Sequence, residues 1–259
     1  MKDRELEGGG RRLAATEVGG GTPLVVLLHG WSCRRSDWDG TLKALEEDFH
    51  LLALDLPGHG DSLDAEPPAW TVTGLATAVA DAVRALEAGS VVLAGHSMGG
   101  AVALEAASQL DVAKAVLLVD TFVIPYGDLD EEQAAAIEAP FHEDFAAAIE
   151  GLVEQNTAAI LPQDRKQWIK ARMSAADSAR MLPVWHDLLR WSPDAAFTTL
   201  SARGVPIHAL NGDLVPEVAR QRCRPHVREW PLDGAGHFPQ FEMPERFHAT
   251  LRRGLESCT

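Results

Sequence analysis

The sequence predicts an α/β protein, a mostly parallel sheet covered by helices on both faces, and three observations carry that prediction. Short, continuous apolar runs such as Leu24 to Leu28 (LVVLL) recur along the chain, and a run with no polar alternation is the pattern of a strand buried on both sides. Helical patterns lie between most of these runs, and alternating β and α segments build parallel sheets. The alternation breaks once, between Thr121 and about Gly204, where about eighty residues rich in Ala, Glu and Trp lack any convincing strand.

In chain order, Arg11 to Val18 reads as a strand after the Gly8-Gly9-Gly10 turn, and Gly19-Gly20-Gly21 punctuates its end, so a hairpin is expected in this region. Leu24 to Leu28, bounded by Pro23 and Gly30, is the first buried strand. Others follow at Leu51 to Leu54, Val91 to Ala94, Ala115 to Val119 and Pro206 to Leu210, with helices over Trp38 to Glu47, Val72 to Leu86 and Met98 to Leu110. Within the interruption, helical patterns cover Asp130 to Glu138, Glu143 to Glu154, Arg165 to Ser174 and Ser178 to Arg190, with Pro140, Pro162 and Pro193 as breakers. The division expected is a core of residues 1–120 and 205–259 and a helical cap of residues 121–204. A helix near Glu217 to Arg224, a short strand near Val227 to Pro231 and a helix from about Pro244 to Leu255 complete the core.

Composition narrows the function. Of 259 residues, 46% are hydrophobic and 24% charged, as in an ordinary globular chain with a sizeable core. The 38 Asp and Glu outweigh the 23 Lys and Arg, and the resulting charge of −15 repels phosphate backbones and anionic lipid. Nucleic acid and membranes are therefore not expected partners. No apolar run reaches the ~18–20 residues of a membrane span, and Met1 to Glu5 contains no apolar stretch, so a soluble cytoplasmic protein is expected. Cys33, Cys223 and Cys258 lack C-x-x-C spacing, which argues against a zinc site or a disulfide framework. No metal is expected.

Gly95-His96-Ser97-Met98-Gly99 is a G-x-S-x-G sequence placed between a predicted strand and a predicted helix. In that context the glycines permit a sharp turn that exposes Ser97 Oγ at the helix start, where it can act as a nucleophile. A serine hydroxyl needs a base, and Gly234-Ala235-Gly236-His237-Phe238 supplies one late in the chain, with small residues that let His237 approach. The other nine histidines fall in turn motifs, in strand or helix contexts, or in the insertion. The oxyanion of an acyl-transfer intermediate needs N–H donors, and those of Trp31, after the first buried strand, and Met98 are the candidates. His29, Gly30 and Phe238 are expected along the substrate cleft. Cys33 lies near its mouth with no base spaced for it and reads as a packing thiol, and Arg34 and Arg35 read as solvated.

Together, His29-Gly30-Trp31, Asp55-Leu56-Pro57-Gly58-His59-Gly60-Asp61-Ser62, Gly95-His96-Ser97-Met98-Gly99-Gly100, and Gly236-His237-Phe238 with Glu242-Met243-Pro244-Glu245-Arg246-Phe247 resemble the α/β-hydrolase fold superfamily. The likeness is to its small cap-bearing serine esterases and lactonases and spans nearly the whole chain. It implies an eight-stranded sheet, a Ser-acid-His triad in chain order and no cofactor. It also implies a structural, not catalytic, role for Asp55 to Ser62.

The acid stays open between two carboxylates. Asp213, after the strand that follows the cap and 24 residues before His237, lies where the superfamily usually places it, although Leu210 stands where a glycine is common. Asp120, ending the Ala115 to Val119 strand, is the alternative because some members use an acid there, and Glu217 is a third. Asp213 is the expected acid. The function expected is a serine hydrolase that cleaves a small ester or lactone through an acyl-enzyme, with the cap roofing the cleft and apolar substrates favoured over charged ones. The same fold hosts C–C hydrolases and non-hydrolytic enzymes, and a ligand receptor with a little-used triad is a further reading. An exposed cap helix leaves a homodimer open.

Overall fold

The structure, a computed structural model, describes residues 1–258. The first two strands, β1 (Lys2–Gly8) and β2 (Arg11–Val18), form an antiparallel hairpin. No strand is expected before Arg11 from the sequence, because KDRELEG turns only Leu6 toward the core and so lacks an apolar pattern. The remaining strands are β3 (Leu24–Leu28), β4 (His50–Leu54), β5 (Val91–His96), β6 (Ala113–Val119), β7 (Ile207–Asn211) and β8 (Val227–Pro231). They form one eight-stranded sheet in the order β1-β2-β4-β3-β5-β6-β7-β8, parallel from β4 to β8.

The helices, in chain order, are α1 (Asp39–Leu45), α2 (Val72–Ala85), α3 (Met98–Ser108), α4 (Glu131–Glu143), α5 (Phe145–Asn156), α6 (Gln163–Ser174), α7 (Ser178–Arg190), α8 (Asp194–Ala202), α9 (Glu217–Cys223), α10 (Pro239–Glu242) and α11 (Pro244–Glu256). The continuous apolar strands are explained by the two layers they serve. Leu24, Val26 and Leu28 of β3 face the core shared with α2 and α3, while Val25 and Leu27 face the core shared with α1 and α11. The same alternation recurs in β4 and β5, as the two-residue period of a strand requires. Each such Leu or Val, fully buried, contributes roughly 1.5–3 kcal/mol.

Five helices separate β6 from β7. The last, α8, packs on α3 and covers the sheet, so the excursion over the strand ends is α4 to α7. Its helices have no core of their own, since Ile149, Ile169, Met173 and Leu188 belong to the same apolar cluster as Trp31, Phe122 and Phe238. Pro140 does not break α4, which runs on to Glu143. The proline sits in the last turn, where its carbonyl accepts the Asp144 N–H at 3.0 Å. No helix among the described residues is long and apolar enough to cross a membrane.

Candidate active site

Because β5 ends at His96 and α3 begins at Met98, the chain reverses at Ser97 alone. Its φ of 53° and ψ of −124° lie in a region that side-chain-bearing residues rarely occupy, a strain of about 1–3 kcal/mol. The turn closes because a Cβ on Gly99 would collide with the backbone carbonyls of Leu28 and His29, and glycine has none. Ser97 N–H donates to Val119 O at 2.9 Å, which fixes the turn to β6. The serine thus stands at the N-terminus of α3, where the helix dipole favours negative charge.

His237 lies in the loop between β8 and α10, and Asp120 directly follows β6. His237 Nε2 is 3.0 Å from Ser97 Oγ and its Nδ1 is 2.7 Å from Asp120 Oδ2. A carboxylate only accepts, so Nδ1–H donates to Asp120 and Nε2 is left to accept the Ser97 hydroxyl. Asp120 is fully buried in a left-handed conformation, φ 49°, and its Oδ1 accepts the Gly212 N–H at 2.9 Å.

The expected acid is thereby corrected, because Asp120 and not Asp213 lies beside His237. The loop after β7 meets the histidine loop through its backbone, Asp213 N–H donating to Ala235 O at 2.9 Å. That leaves the Asp213 side chain exposed on the outer side, where Oδ2 accepts the Gly234 N–H at 3.0 Å. Asp120 follows the strand adjacent to the serine's own, and its left-handed turn swings the carboxylate inward. Glu217, at the start of α9, is exposed and pairs with Arg224.

Both backbone groups of His237 are held. Its N–H donates to Asn156 O at the end of α5 (2.7 Å), and its carbonyl accepts His96 Nε2–H (2.6 Å). Burial and the neighbouring His237 push His96 down to about 3, which keeps it neutral. Glu242 accepts N–H bonds from Gly236 (2.5 Å) and Ala158 (2.9 Å), tying the histidine loop to the segment after α5. Burial raises its carboxyl above the ordinary range. The signal for Glu242 was its place after Phe238; nothing local distinguishes Asn156.

A cavity of about 200 Å³ adjoins these groups. Gly30, Trp31, Ser97, His237 and Phe238 line it, as do Val123, Ile137, Leu152 and Trp185. Among the described residues, no Lys, Arg, Asp or Glu does. A Cβ placed on Gly30 would lie 3.4 Å from Ser97 Cβ, so the Gly30-Trp31 segment runs beside the elbow. Met98 opens α3 directly after Ser97 but is fully buried and does not itself line the cavity.

His29 departs from expectation. Its side chain is sealed in the fold, Nδ1–H donating to Gly30 O at 2.8 Å and Nε2 accepting the Leu56 N–H at 3.0 Å, so it shapes the loop without reaching the cavity. Arg35 is also not solvated, because its guanidinium pairs with buried Asp55 and with Asp61. Cys33 lines the cavity with its thiol pushed up by burial, so it stays protonated. Among the described residues, no group of three or more His, Cys, Asp or Glu is arranged to hold a metal ion.

Residues 25–250 match the alpha/beta hydrolase family. An esterase of Mycobacterium tuberculosis is 28% identical over 265 residues, an alignment covering 95% of this chain and 87% of the relative. The pimeloyl-(acyl-carrier protein) methyl ester esterase of Nitrosomonas europaea is 26% identical over 262 residues, covering 89% and 95%. A thermophilic esterase from Thermogutta terrifontis, solved with malate bound, has the same fold, with a TM-score of 0.81 at 22% identity over 100% of this chain and 99% of that one.

Proposed function

Since the chain belongs to the alpha/beta hydrolase family, we propose that it is a serine hydrolase cleaving a small, uncharged carboxylic ester or lactone through an acyl-enzyme. The observation that carries this reading is the contact series from Asp120 through His237 to Ser97, at 2.7 and 3.0 Å, against a cavity without charged side chains. Full-length relatives that are esterases support it.

In this reading His237 Nε2 takes the Ser97 proton as Oγ attacks the substrate carbonyl. The carbonyl oxygen becomes an oxyanion and accepts the N–H groups of Trp31 and Met98. Asp120 holds the imidazole in the tautomer that leaves Nε2 open and stabilises the imidazolium. His237 then protonates the leaving alkoxide as the C–O bond breaks, and the acyl group stays on Ser97. A water gives its proton to Nε2, attacks the acyl carbon and releases the acid, and Oγ regains its hydrogen. The cavity, at about 200 Å³, is below the ~300–1,000 Å³ of drug-sized pockets, which favours a short or compact apolar acyl group.

A fluorophosphonate should label the protein and not Ser97→Ala, and a series of p-nitrophenyl esters of rising acyl length should be hydrolysed. The variant should keep no more than the ~10³–10⁴ over water that binding and the oxyanion donors provide. Absence of labelling would remove Ser97 as nucleophile. Labelling with no ester turned over would point to another chemistry on the same fold.

A further inference from the structure

Most polar side-chain atoms around the cavity already have work. His96 Nε2–H is engaged by the His237 carbonyl, and Asn156 gives its amide nitrogen to Leu152 O at 2.8 Å. Ser97 and His237 bond each other. Trp185 Nε1–H also lacks a partner among the described residues but is sealed, and Tyr126 differs from all of these. It is 1% exposed and lines the cavity, yet its hydroxyl makes no hydrogen bond with any described residue. Unlike the Ser32 and Thr121 hydroxyls, which are sealed inside the protein without partners, the Tyr126 oxygen keeps part of the small area the residue leaves open.

The ring is also held in place. Phe122 and Trp191 pack on it with centroids 6.4 and 6.2 Å away. Its backbone N–H donates to Ile124 O, and the following residues are tied down by Arg222, which donates to Gly127 O and pairs with Asp128. Burial raises the phenol's pKa, so it keeps its hydrogen and can donate. A buried hydroxyl is normally paired, and one left uncommitted on a rigid wall is suited to a group that arrives with a ligand.

We propose that Tyr126 is a specificity-determining residue: its hydroxyl donates to a hydrogen-bond-accepting oxygen, ether or carbonyl, carried within the substrate in addition to the scissile carbonyl. The preferred substrate class is then an oxygen-bearing but uncharged ester or lactone, in place of a plain alkanoate. This rests on the hydrolase reading of the same cavity, and it adds an acceptor position that the triad does not require.

The test compares p-nitrophenyl hexanoate with its 3-oxa, 4-oxa and 5-oxa analogues, in the wild type and in Tyr126→Phe, which keeps the ring. For at least one oxa ester, the ratio of kcat/KM to that of hexanoate should fall about tenfold in the variant. Comparing ratios cancels the electronic activation of the 3-oxa ester. Ratios unchanged for all three analogues would overturn the proposal. Calorimetric binding of the matching methyl esters to Ser97→Ala, with and without Tyr126→Phe, reads the same contact without turnover. A Tyr126-dependent preference in binding with no turnover in the wild type would uphold the contact and defeat the hydrolase reading. Binding and rate ratios both indifferent to the hydroxyl would defeat the contact alone.

Discussion

The floor and the roof of the cavity are held by different means. On the floor, α3 buries nine of its eleven residues. Ser97 and Asp120 sit there at positive φ directly after β5 and β6, and His237 is held at its carbonyl by His96 and, from the roof, at its N–H by Asn156 O. In the roof, α5 buries two of its twelve residues, Ile149 and Val153. The roof meets the floor through Trp31, stacked on Trp185 at 4.5 Å with Phe141 and Phe145 edge-on. A few polar ties complete the joint: Arg172 to Asp37, Trp31 Nε1–H to Met181 O, and Val72 N–H to Asp187. In the proposed mechanism the groups that need the closest placement stand at or beside the strand ends, and selection of what enters falls to helices with fewer constraints.

The largest effect should come from the floor. Asp120→Asn should lose about 10⁴ in kcat with its circular dichroism unchanged, because the amide favours the wrong imidazole tautomer. Asp213→Asn, measured on the same ester, should stay within a few-fold of the parent. A comparable loss at Asp213 would break the assignment of the acid to the end of β6.

A roof tie should act on stability. Arg172 and Asp37 are both buried, and burial raises the Asp37 carboxyl despite the guanidinium beside it. Arg172→Ala should cost about 3–5 kcal/mol in urea unfolding by stranding that carboxylate, whereas replacing the pair together by Met and Leu should cost much less. An equal cost for both would show that packing, and not the buried charge, sets the tie.

Acid should weaken the floor selectively. His96, His59 and His29 all have folded pKa values lowered by burial, to about 3 and about 4 for the first two. Their stabilising contribution is therefore complete above the unfolded value near 6.5 and is lost as pH falls toward the folded values. For His96 alone the loss at pH 4.5 is roughly 2–3 kcal/mol. Asp37, Asp55 and Glu242, raised by burial, oppose this in part, since they bind protons more readily folded than unfolded. The unfolding midpoint should fall between pH 7 and 4.5, and His96→Gln should flatten the fall. A slope unaltered in that variant would place the acid sensitivity elsewhere.

The smallest effect belongs to the roof's selectivity. Leu152→Ala enlarges the cavity wall, so kcat/KM should shift toward longer acyl chains by about tenfold or less. A uniform loss across chain lengths would mean that α5 acts chiefly through its Asn156 hold on His237.

Local chemistry was enough to read much of this molecule. The buried strands are legible because neighbouring side chains alternate between two apolar layers, and the elbow because only glycines admit such a turn around Ser97. His237 was legible through its small neighbours and its late position. β1 and α8 were not, since one has a single buried apolar residue, Leu6, and the other lies in an Ala-Thr stretch without a marked period.

The acid marks the boundary between the two kinds of information. From sequence, Asp120 and Asp213 both end a strand before His237 in the chain, and only the usual position in the resembled superfamily favours Asp213. Their fates separate only in three dimensions, where one strand lies beside that of the serine and its left-handed turn points the carboxylate inward, while the other loop presents backbone. Asn156 O and the Tyr126 hydroxyl belong to the same category. Their roles come from contacts spanning long stretches of chain, or from the absence of any, and a sequence pattern registers only neighbours a few residues apart. The chain thus encodes its strands, the Ser97 elbow and the His237 loop locally, while which carboxylate faces His237 and what lines the cavity follow from how distant segments pack.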